Sequence, residues 1–241
     1  MPDDLSISSD IYPLPGISDP FSAVSHLLGA VIFSFLGYGL LLRGRGDRAR
    51  MIYLGVYAFS CVLLFALSGV YHMMSHGGAA RIVLGRLDHC AIFVLIAGTF
   101  TPAHGLLLRG MSRWGPLLFI WSVAITGILL KAIFFDDLSE WFGLVFYLTM
   151  GWFGAFSGTL LARRYGFDFV MPLLLGGIAY SIGAVLDSLN WFVVVPGVIH
   201  AHEIFHIAVL AGAALHWYWV WTFADGRMSA FTERTQKPRA K

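Results

Sequence analysis

Long apolar runs separated by short polar segments dominate the chain. Seven runs reach the length of about 20 residues that a helix needs to cross the hydrocarbon core of a bilayer. They cover residues 21–42, 51–74, 87–108, 114–135, 141–162, 169–195 and 199–224. The strict alternation of apolar and polar positions that marks membrane β-strands is missing from these runs, so we predict helices. Because short loops make consecutive helices antiparallel, the sequence predicts an all-α integral membrane protein, a seven-transmembrane helix bundle.

The composition makes lipid the solvent of most of this protein. Of its 241 residues, 58% are hydrophobic and only 12% are charged, and the mean hydropathy is +0.74. Soluble domains carry roughly 25% charged residues, so a soluble enzyme, a disordered chain, a disulfide scaffold and a nucleic-acid-binding module are excluded. The net charge of +2 is scattered and implies no nucleic-acid partner. Cys61 and Cys90 lie inside apolar runs, where we expect buried thiols rather than a disulfide.

The arginines and lysines predict the topology. We divide the chain into a polar N-terminal segment (1–20), the seven-helix domain (21–224) and a basic C-terminal tail (225–241). Seven crossings put the termini on opposite sides, with three basic residues on the N-terminal side and thirteen on the other. Because cytoplasmic loops are enriched in Lys and Arg, we expect the N-terminus outside and the C-terminus in the cytoplasm.

Histidines gather at one end of the predicted bundle. A charged side chain in the hydrocarbon costs about 2.5–3.5 kcal/mol, so each ionisable residue in a span needs an explanation. Because the helices alternate in direction, seven of the nine histidines fall on the N-terminal side: His26, His72, His76, His89, His200, His202 and His206. Asp88, at the start of the third span, and Asp187, late in the sixth, lie on the same side. One polar layer is therefore predicted at this end of the bundle.

The pair His202 and His206 is the strongest metal-binding signal. Side chains four residues apart on a helix lie about 6 Å apart along the axis and about 40° apart around it, so both imidazoles can reach one ion. His72 ends the second span on the same side, with Ser68 one turn earlier, and Asp88 opens the third. Three imidazoles with an oxygen ligand or water form the open tetrahedral arrangement of catalytic zinc. We predict Zn²⁺ at His72, His202 and His206, although imidazoles alone also suit iron, nickel or cobalt.

Three further residues are candidates for a supporting or substrate-binding role: Asp187, Glu203 and His26. Asp187 can accept the second ring N–H of a ligating histidine or bind a substrate hydroxyl. At the start of a helix, His26 is more often bonded to a backbone carbonyl than to a metal ion. Glu203 completes the H-E-x-x-H pattern of metalloproteases. Here that motif lies in the last span, and Gly212 stands where one protease class has its third histidine, so a protease is disfavoured.

Five ordered motifs resemble those of the hemolysin III family, the bacterial branch of the progestin and adiponectin receptor superfamily, which is related to alkaline ceramidases. They are 25–29 (SHLLG), Ser68-x3-His72, 87–92 (LDHCAI) with 97–102 (AGTFTP), 176–184 (GGIAYSIGA) and His202-x3-His206. The resemblance covers nearly the whole chain. It implies seven helices around a zinc ion held by His72, His202 and His206, with Asp88 holding the zinc-bound water and Ser68 beside it. It also implies a multi-pass protein of the bacterial inner (plasma) membrane.

Two features depart from this family pattern. Asp187 stands where many relatives are expected to have an aromatic residue, which is consistent with a different substrate. Animal adiponectin receptors place their N-terminus in the cytoplasm, opposite to the orientation that the loop charges predict here. The orientation decides which compartment the polar layer faces.

Three functions are compatible with this sequence. The leading hypothesis is a zinc-dependent, ceramidase-like hydrolase of a lipid amide or ester that influences membrane lipid state. In it, Asp88 orients the water and takes its proton, and Ser68 or the metal stabilises the oxyanion. The alternative is a receptor-like or membrane-homeostasis regulator with structural zinc. A hemolysin-type pore is less well supported, because the polar groups stop at one layer. Membrane lipids are the expected partners in each case.

Overall fold

The computed structural model describes residues 11–190 and 193–228, which form seven helices joined by short loops. The helices are α1 (Pro20–Arg43), α2 (Arg48–Met73), α3 (Ala79–Leu107), α4 (Met111–Ile133), α5 (Glu140–Tyr165), α6 (Phe167–Leu189) and α7 (Ala201–Phe223). Strands β1 (Val193–Val195) and β2 (Ile199–His200) pair as an antiparallel hairpin between α6 and α7. All seven helices are long and apolar enough to cross a membrane, which confirms the predicted bundle.

Apolar side chains cover the outside of the bundle, as expected for a protein that is solvated by lipid. Phe35 is 74% exposed and Leu118 is 66% exposed, which is stable in a bilayer and unfavourable in water. Helix α3 is the most enclosed element, because it packs against α2, α4, α5 and α7. Cys61 and Cys90 are buried and free, as the sequence predicts.

Helix α3 begins at Ala79, eight residues before the predicted start of the third span. Arg81 and Arg86 made this stretch look like a loop, but both guanidinium groups have partners at the helix surface. Arg81 donates to the Met74 carbonyl at 2.7 Å and to Asp19 at 2.6 Å. Arg86 donates to Asp136 at 2.8 Å. The two charges therefore have partners on a helix that continues past them.

Helix α6 ends at Leu189, six residues before the end of the predicted sixth span. Asn190 adopts a left-handed conformation with φ 47° and ends the helix, as expected for a residue that tolerates this region. The β-branched residues 193–195 then pair with β2 across a turn at Gly197, where φ is +73°. A run of valines that reads as membrane span is thus a short hairpin.

Residues 11–19, here called the N-terminal strap, lie across one end of the bundle. The Tyr12 N–H donates to the Gly197 carbonyl at 2.8 Å, which fixes the strap to the hairpin. The Asp19 N–H donates to the His72 carbonyl at 3.0 Å, which fixes the other end to α2. Residues 1–10 of the predicted polar segment and residues 229–241 of the predicted basic tail lie outside the described part of the chain.

Candidate metal centre

Three imidazoles meet where the C-terminal end of α2 approaches the N-terminal end of α7. His72 lies in the last turn of α2, and His202 and His206 lie on successive turns of α7. One potential ligand atom from each lies within 4.8 Å of the others. The Nε2 atom of His202 is 3.3 Å from Nε2 of His72 and 3.1 Å from Nε2 of His206. The structure therefore brings together the three histidines that the sequence places in one layer.

The spacing of these nitrogens suits a tetrahedral ion. Zinc–nitrogen distances of about 2.0–2.1 Å place the ligands of a tetrahedral site roughly 3.3–3.4 Å apart, close to the two observed Nε2 separations. Carboxylates also occupy the far side of two rings. Asp19 Oδ2 lies 2.8 Å from His72 Nδ1, and Asp187 Oδ1 lies 3.1 Å from His202 Nδ1.

These carboxylates determine which ring nitrogens can bind a cation. A carboxylate beside Nδ1 favours the tautomer that carries its proton there, which leaves the lone pair on Nε2. The Nε2 lone pairs of His72 and His202 then face each other across 3.3 Å. Two lone pairs at that distance repel unless a cation lies between them. The donor set therefore fits a metal ion better than it fits three neutral side chains alone.

Asp19 is the residue of this site that the sequence reasoning missed. It is 8% exposed, and in addition to His72 it contacts Arg81 at 2.6 Å and His76 Nε2 at 3.3 Å. Burial alone would raise the pKa of Asp19, but its hydrogen bonds with His72 and Arg81 and the charge of Arg81 hold the pKa well below the usual range. An available signal was its position directly before Pro20, at the end of α1 that shares a membrane side with the histidines.

Asp187 lies in the last turn of α6, where the hairpin turns the chain back toward α7. Its carboxylate is partly exposed, as is the imidazole of His202 beside it. The structure therefore places Asp187 in hydrogen-bond contact with a candidate ligand, one of the positions that the sequence analysis allowed for it.

Asp88 and Ser68 lie beside the cluster but outside it. Asp88 is 9% exposed and Ser68 is 3% exposed, and the two side chains lie close together. Asp88 interacts electrostatically with His202, but it does not belong to the group of mutually close ligand atoms. In the side chain of His202, 41% of the surface is accessible. The cluster is therefore open on the side of His202, with a buried carboxylate nearby.

Glu203 has a structural role in this arrangement. One carboxylate oxygen accepts a hydrogen bond from the Ser22 hydroxyl at 2.9 Å, and the other accepts one from the His200 N–H at 2.9 Å. The second contact caps α7, since the first backbone N–H groups of a helix lack partners within it. Both oxygens of Glu203 are thus engaged, unlike the free general base that H-E-x-x-H chemistry needs.

Three other helix histidines, His89, His104 and His216, have partners outside the cluster. His89 contacts the Gly85 carbonyl at 2.8 Å, and His216 Nε2 contacts the Leu173 carbonyl at 3.0 Å. His104 contacts the Ser112 carbonyl through Nδ1 at 3.0 Å and Ser157 Oγ through Nε2 at 2.9 Å. Backbone carbonyls therefore account for these imidazoles without a metal.

A long cavity of about 980 Å³ connects the histidine cluster with the interior of the bundle. Its wall includes His72, Asp88 and His202 at one end and His104 and Ser157 at the other. Asp88 and His104 are sixteen positions apart on α3, which corresponds to roughly 24 Å at a rise of 1.5 Å per residue. The wall between them is mainly apolar, from the side chains of Ile92, Leu95, Ile96, Phe100 and Ala103. Its shape and polarity suit a long apolar chain with a polar group at the cluster.

The chain resembles known membrane proteins over most of its length. The sequence model of the family described as Haemolysin-III related matches residues 17–217. Hemolysin-3 of Bacillus cereus is 33% identical over 202 residues, which cover 83% of this chain and 88% of that protein. The human monocyte to macrophage differentiation factor is 28% identical over 201 residues, covering 80% and 79%. The adiponectin receptor protein of Drosophila melanogaster is 28% identical over 229 residues, covering 80% and 48%.

Proposed function

The chain belongs to the haemolysin-III-related family of integral membrane proteins, and on that premise we propose that it is a zinc-dependent hydrolase of a lipid amide or ester. One observation carries the proposal. Three Nε2 atoms converge at the end of a long apolar cavity, and carboxylates hold the Nδ1 atoms of two of these rings. This arrangement combines a metal site with a place for a lipid chain.

His72, His202 and His206 would hold the ion. When bound, zinc supplies Lewis acidity, which lowers the pKa of a water molecule to about 7 and polarises a carbonyl group. Asp19 and Asp187 keep the rings of His72 and His202 in the orientation that turns Nε2 toward the centre. Outer partners of this kind commonly contribute about 10- to 100-fold to metal affinity or activity.

Asp88 is the proton carrier in this proposal. Its carboxylate accepts a proton from the attacking water and returns it to the leaving amine or alcohol. The Ser68 hydroxyl lies close to that carboxylate, and in this proposal it donates to the carboxylate and so fixes its orientation. The apolar wall of the cavity binds the acyl chain and limits the access of bulk water, which strengthens the electrostatic interactions at the reacting carbonyl.

Lipid hydrolysis can be tested with the full chain purified in detergent and loaded with zinc. Ceramide-like amides and phospholipid esters are supplied, and product release is compared with that of His202→Ala and Asp88→Ala. The proposal predicts turnover of at least one class by the wild type and loss of it in both variants. Full zinc occupancy with no turnover of any lipid would overturn the hydrolase proposal.

A structural metal in a receptor-like regulator of membrane state is the second candidate. The observation that favours it is the range of elements joined at the cluster. Asp19 on the strap contacts His72 on α2, and Asp187 on α6 contacts His202 on α7. A metal there would tie together parts that lie far apart in the chain. A large rise in the melting temperature on zinc loading, without lipid turnover, would favour this function.

We also propose that the protein lies in the inner membrane of a bacterium with the N-terminus outside, so that the metal centre faces outward. The support is the excess of arginine in the loops on the opposite side. Fusion of a fluorescent protein that matures only in the cytoplasm to the C-terminus tests this orientation. Fluorescence is expected from the C-terminal fusion, and its absence in an expressed, inserted protein would contradict the orientation.

A further inference from the structure

The third histidine of the cluster lacks the support that the other two have. His72 and His202 each contact a carboxylate through Nδ1. His206 Nδ1 is buried, and it has no hydrogen-bond partner among the residues that the structure describes. A histidine ring with no such contact is free to rotate about its side-chain bonds unless something else fixes its plane.

The ring of His26 lies against the face of His206. The two ring centroids are 3.9 Å apart and their planes differ by 36°. Phe65 contacts His26 edge-on, with centroids 5.1 Å apart and planes at 75°. His26 is only 3% exposed. It is therefore wedged between an aromatic residue of α2 and a candidate metal ligand of α7.

A row of contacts between α1 and α7 holds His26 in this place. One turn before it, the Ser22 hydroxyl donates to Glu203 at 2.9 Å. One turn after it, a Cβ atom at Gly29 would come within 2.7 Å of a Leu210 methyl group, so the missing side chain at Gly29 lets Leu210 pack closely against α1. Positions 22, 26 and 29 share one face of α1 and meet positions 203, 206 and 210 of α7. The contact between the two imidazoles is thus the middle step of a continuous helix interface.

We propose that His26 is a positioning residue for the metal centre: by face contact it fixes the ring plane of His206 and so aims its Nε2 at the ion. Helix α1 then supports the third ligand by ring contact, where the strap and α6 support the other two by carboxylates. This inference rests on the proposed metal site, but it concerns a residue that does not bind the ion.

The test measures zinc affinity of the full chain in detergent by competition with a chelator. Loss of an outer partner weakens metal binding about 10- to 100-fold. We therefore expect the zinc affinity of His26→Ala to be lower than that of the wild type by a factor in this range. His26→Phe keeps a ring against His206 and is expected to bind zinc close to wild type. The visible absorption of Co²⁺ in place of zinc reports coordination geometry, and it is expected to change in His26→Ala but not in His26→Phe.

Phe33→Ala supplies the matched control. Phe33 lies on the same face of α1 and is buried, and its ring contacts Phe65 with centroids 4.9 Å apart. Among the described residues, its ring makes no contact with the rings of the cluster histidines. Its removal leaves a comparable space between α1 and α2. Zinc affinity close to wild type is expected, because the ring of His206 keeps its neighbour.

Each outcome decides the inference. Three results would overturn it, because each shows that the ring contact does not position His206. His26→Ala could bind zinc as tightly as the wild type does. Alternatively, His26→Phe or Phe33→Ala could lose as much zinc affinity as His26→Ala loses. Failure of the wild type itself to bind zinc would overturn the metal proposal together with this inference. Binding by the wild type with no effect of His26→Ala would overturn only the role of His26.

Discussion

Two groups of histidines in this bundle differ in what surrounds their ring nitrogens. At the end of the bundle that the N-terminal strap crosses, His72, His202 and His206 turn Nε2 toward one another, and two of them contact carboxylates through Nδ1. Toward the opposite end of the bundle, His104 and His216 contact backbone carbonyls, and His104 also contacts Ser157. All five lie in apolar helices. The partner of each ring nitrogen separates a candidate ligand from a histidine that joins helices.

Removal of His202 should have the largest effect on metal binding. Its Nε2 lies within 3.3 Å of both other Nε2 atoms, so it is the central member of the cluster. Loss of an outer partner alone weakens metal binding about 10- to 100-fold, and loss of a ligand should exceed that range. His202→Ala is expected to purify without zinc when metal content is measured by mass spectrometry, and the matched change His216→Ala is expected to keep it. Equal zinc content in the two variants would contradict the distinction.

Substitution of Asp88 should separate catalysis from metal binding. Because Asp88 lies outside the nitrogen cluster, Asp88→Asn is expected to retain zinc. General acid–base catalysis contributes about 10²- to 10⁴-fold, so lipid turnover should fall by a factor in that range. Metal content and kcat are measured on the same sample, with Ser181→Ala, another residue of the cavity wall, as a control. Loss of zinc in Asp88→Asn would make Asp88 a ligand rather than a proton carrier.

Substitution of Asp187 and Asp19 tests whether the carboxylates beside His202 and His72 support the metal. Asp187→Asn removes the negative charge that orients His202, and the zinc affinity is expected to fall about 10- to 100-fold. Asp19→Asn should have a similar effect on affinity through His72. It should also lower the melting temperature of the metal-free protein, because Asp19 pairs with Arg81 at 2.6 Å. Asp136→Asn, which removes the surface partner of Arg86, is the control and should alter neither value appreciably. An unchanged zinc affinity in both cluster variants would show that the carboxylates do not support the metal.

Removal of the hydroxyl partner of His104 should give the smallest effect of the series, and only the stability of the protein should change. Ser157→Ala leaves His104 Nε2 without its hydroxyl partner in a buried position. An unsatisfied buried group costs about 1–3 kcal/mol, which thermal unfolding detects. Zinc affinity should remain at the wild-type value. A fall in affinity would show that the two histidine groups are coupled through the cavity.

The helices and the histidine cluster were accessible from sequence for a common reason. Apolar runs of membrane length report burial in lipid directly, and the spacing of His202 and His206 reports a shared helix face. His72 joins them because consecutive short loops fix the direction of each helix. These inferences need only local periodicity and alternation of direction, which tertiary packing does not change.

Other features depended on contacts between distant segments. The start of α3 was misplaced because the sequence does not show that Asp19 and Asp136 neutralise Arg81 and Arg86. Asp19 itself looked like part of a polar end, since its contact with His72 requires α1 to begin beside the end of α2. The sequence also predicts membrane span at the valines of β1, because a three-residue strand and a helix end have the same apolar composition.

The order of synthesis has a consequence for the cluster. His202 follows His72 by 130 residues, an interval on the order of 10 s at a translation rate of roughly 5–20 residues per second. Asp19, His72 and Arg81 come from the first part of the chain and can associate as soon as α3 has emerged. The early histidine thus has a carboxylate partner while the last helix is still on the ribosome. Completion of the cluster then marks the insertion of the final helix, and a truncated chain cannot acquire it.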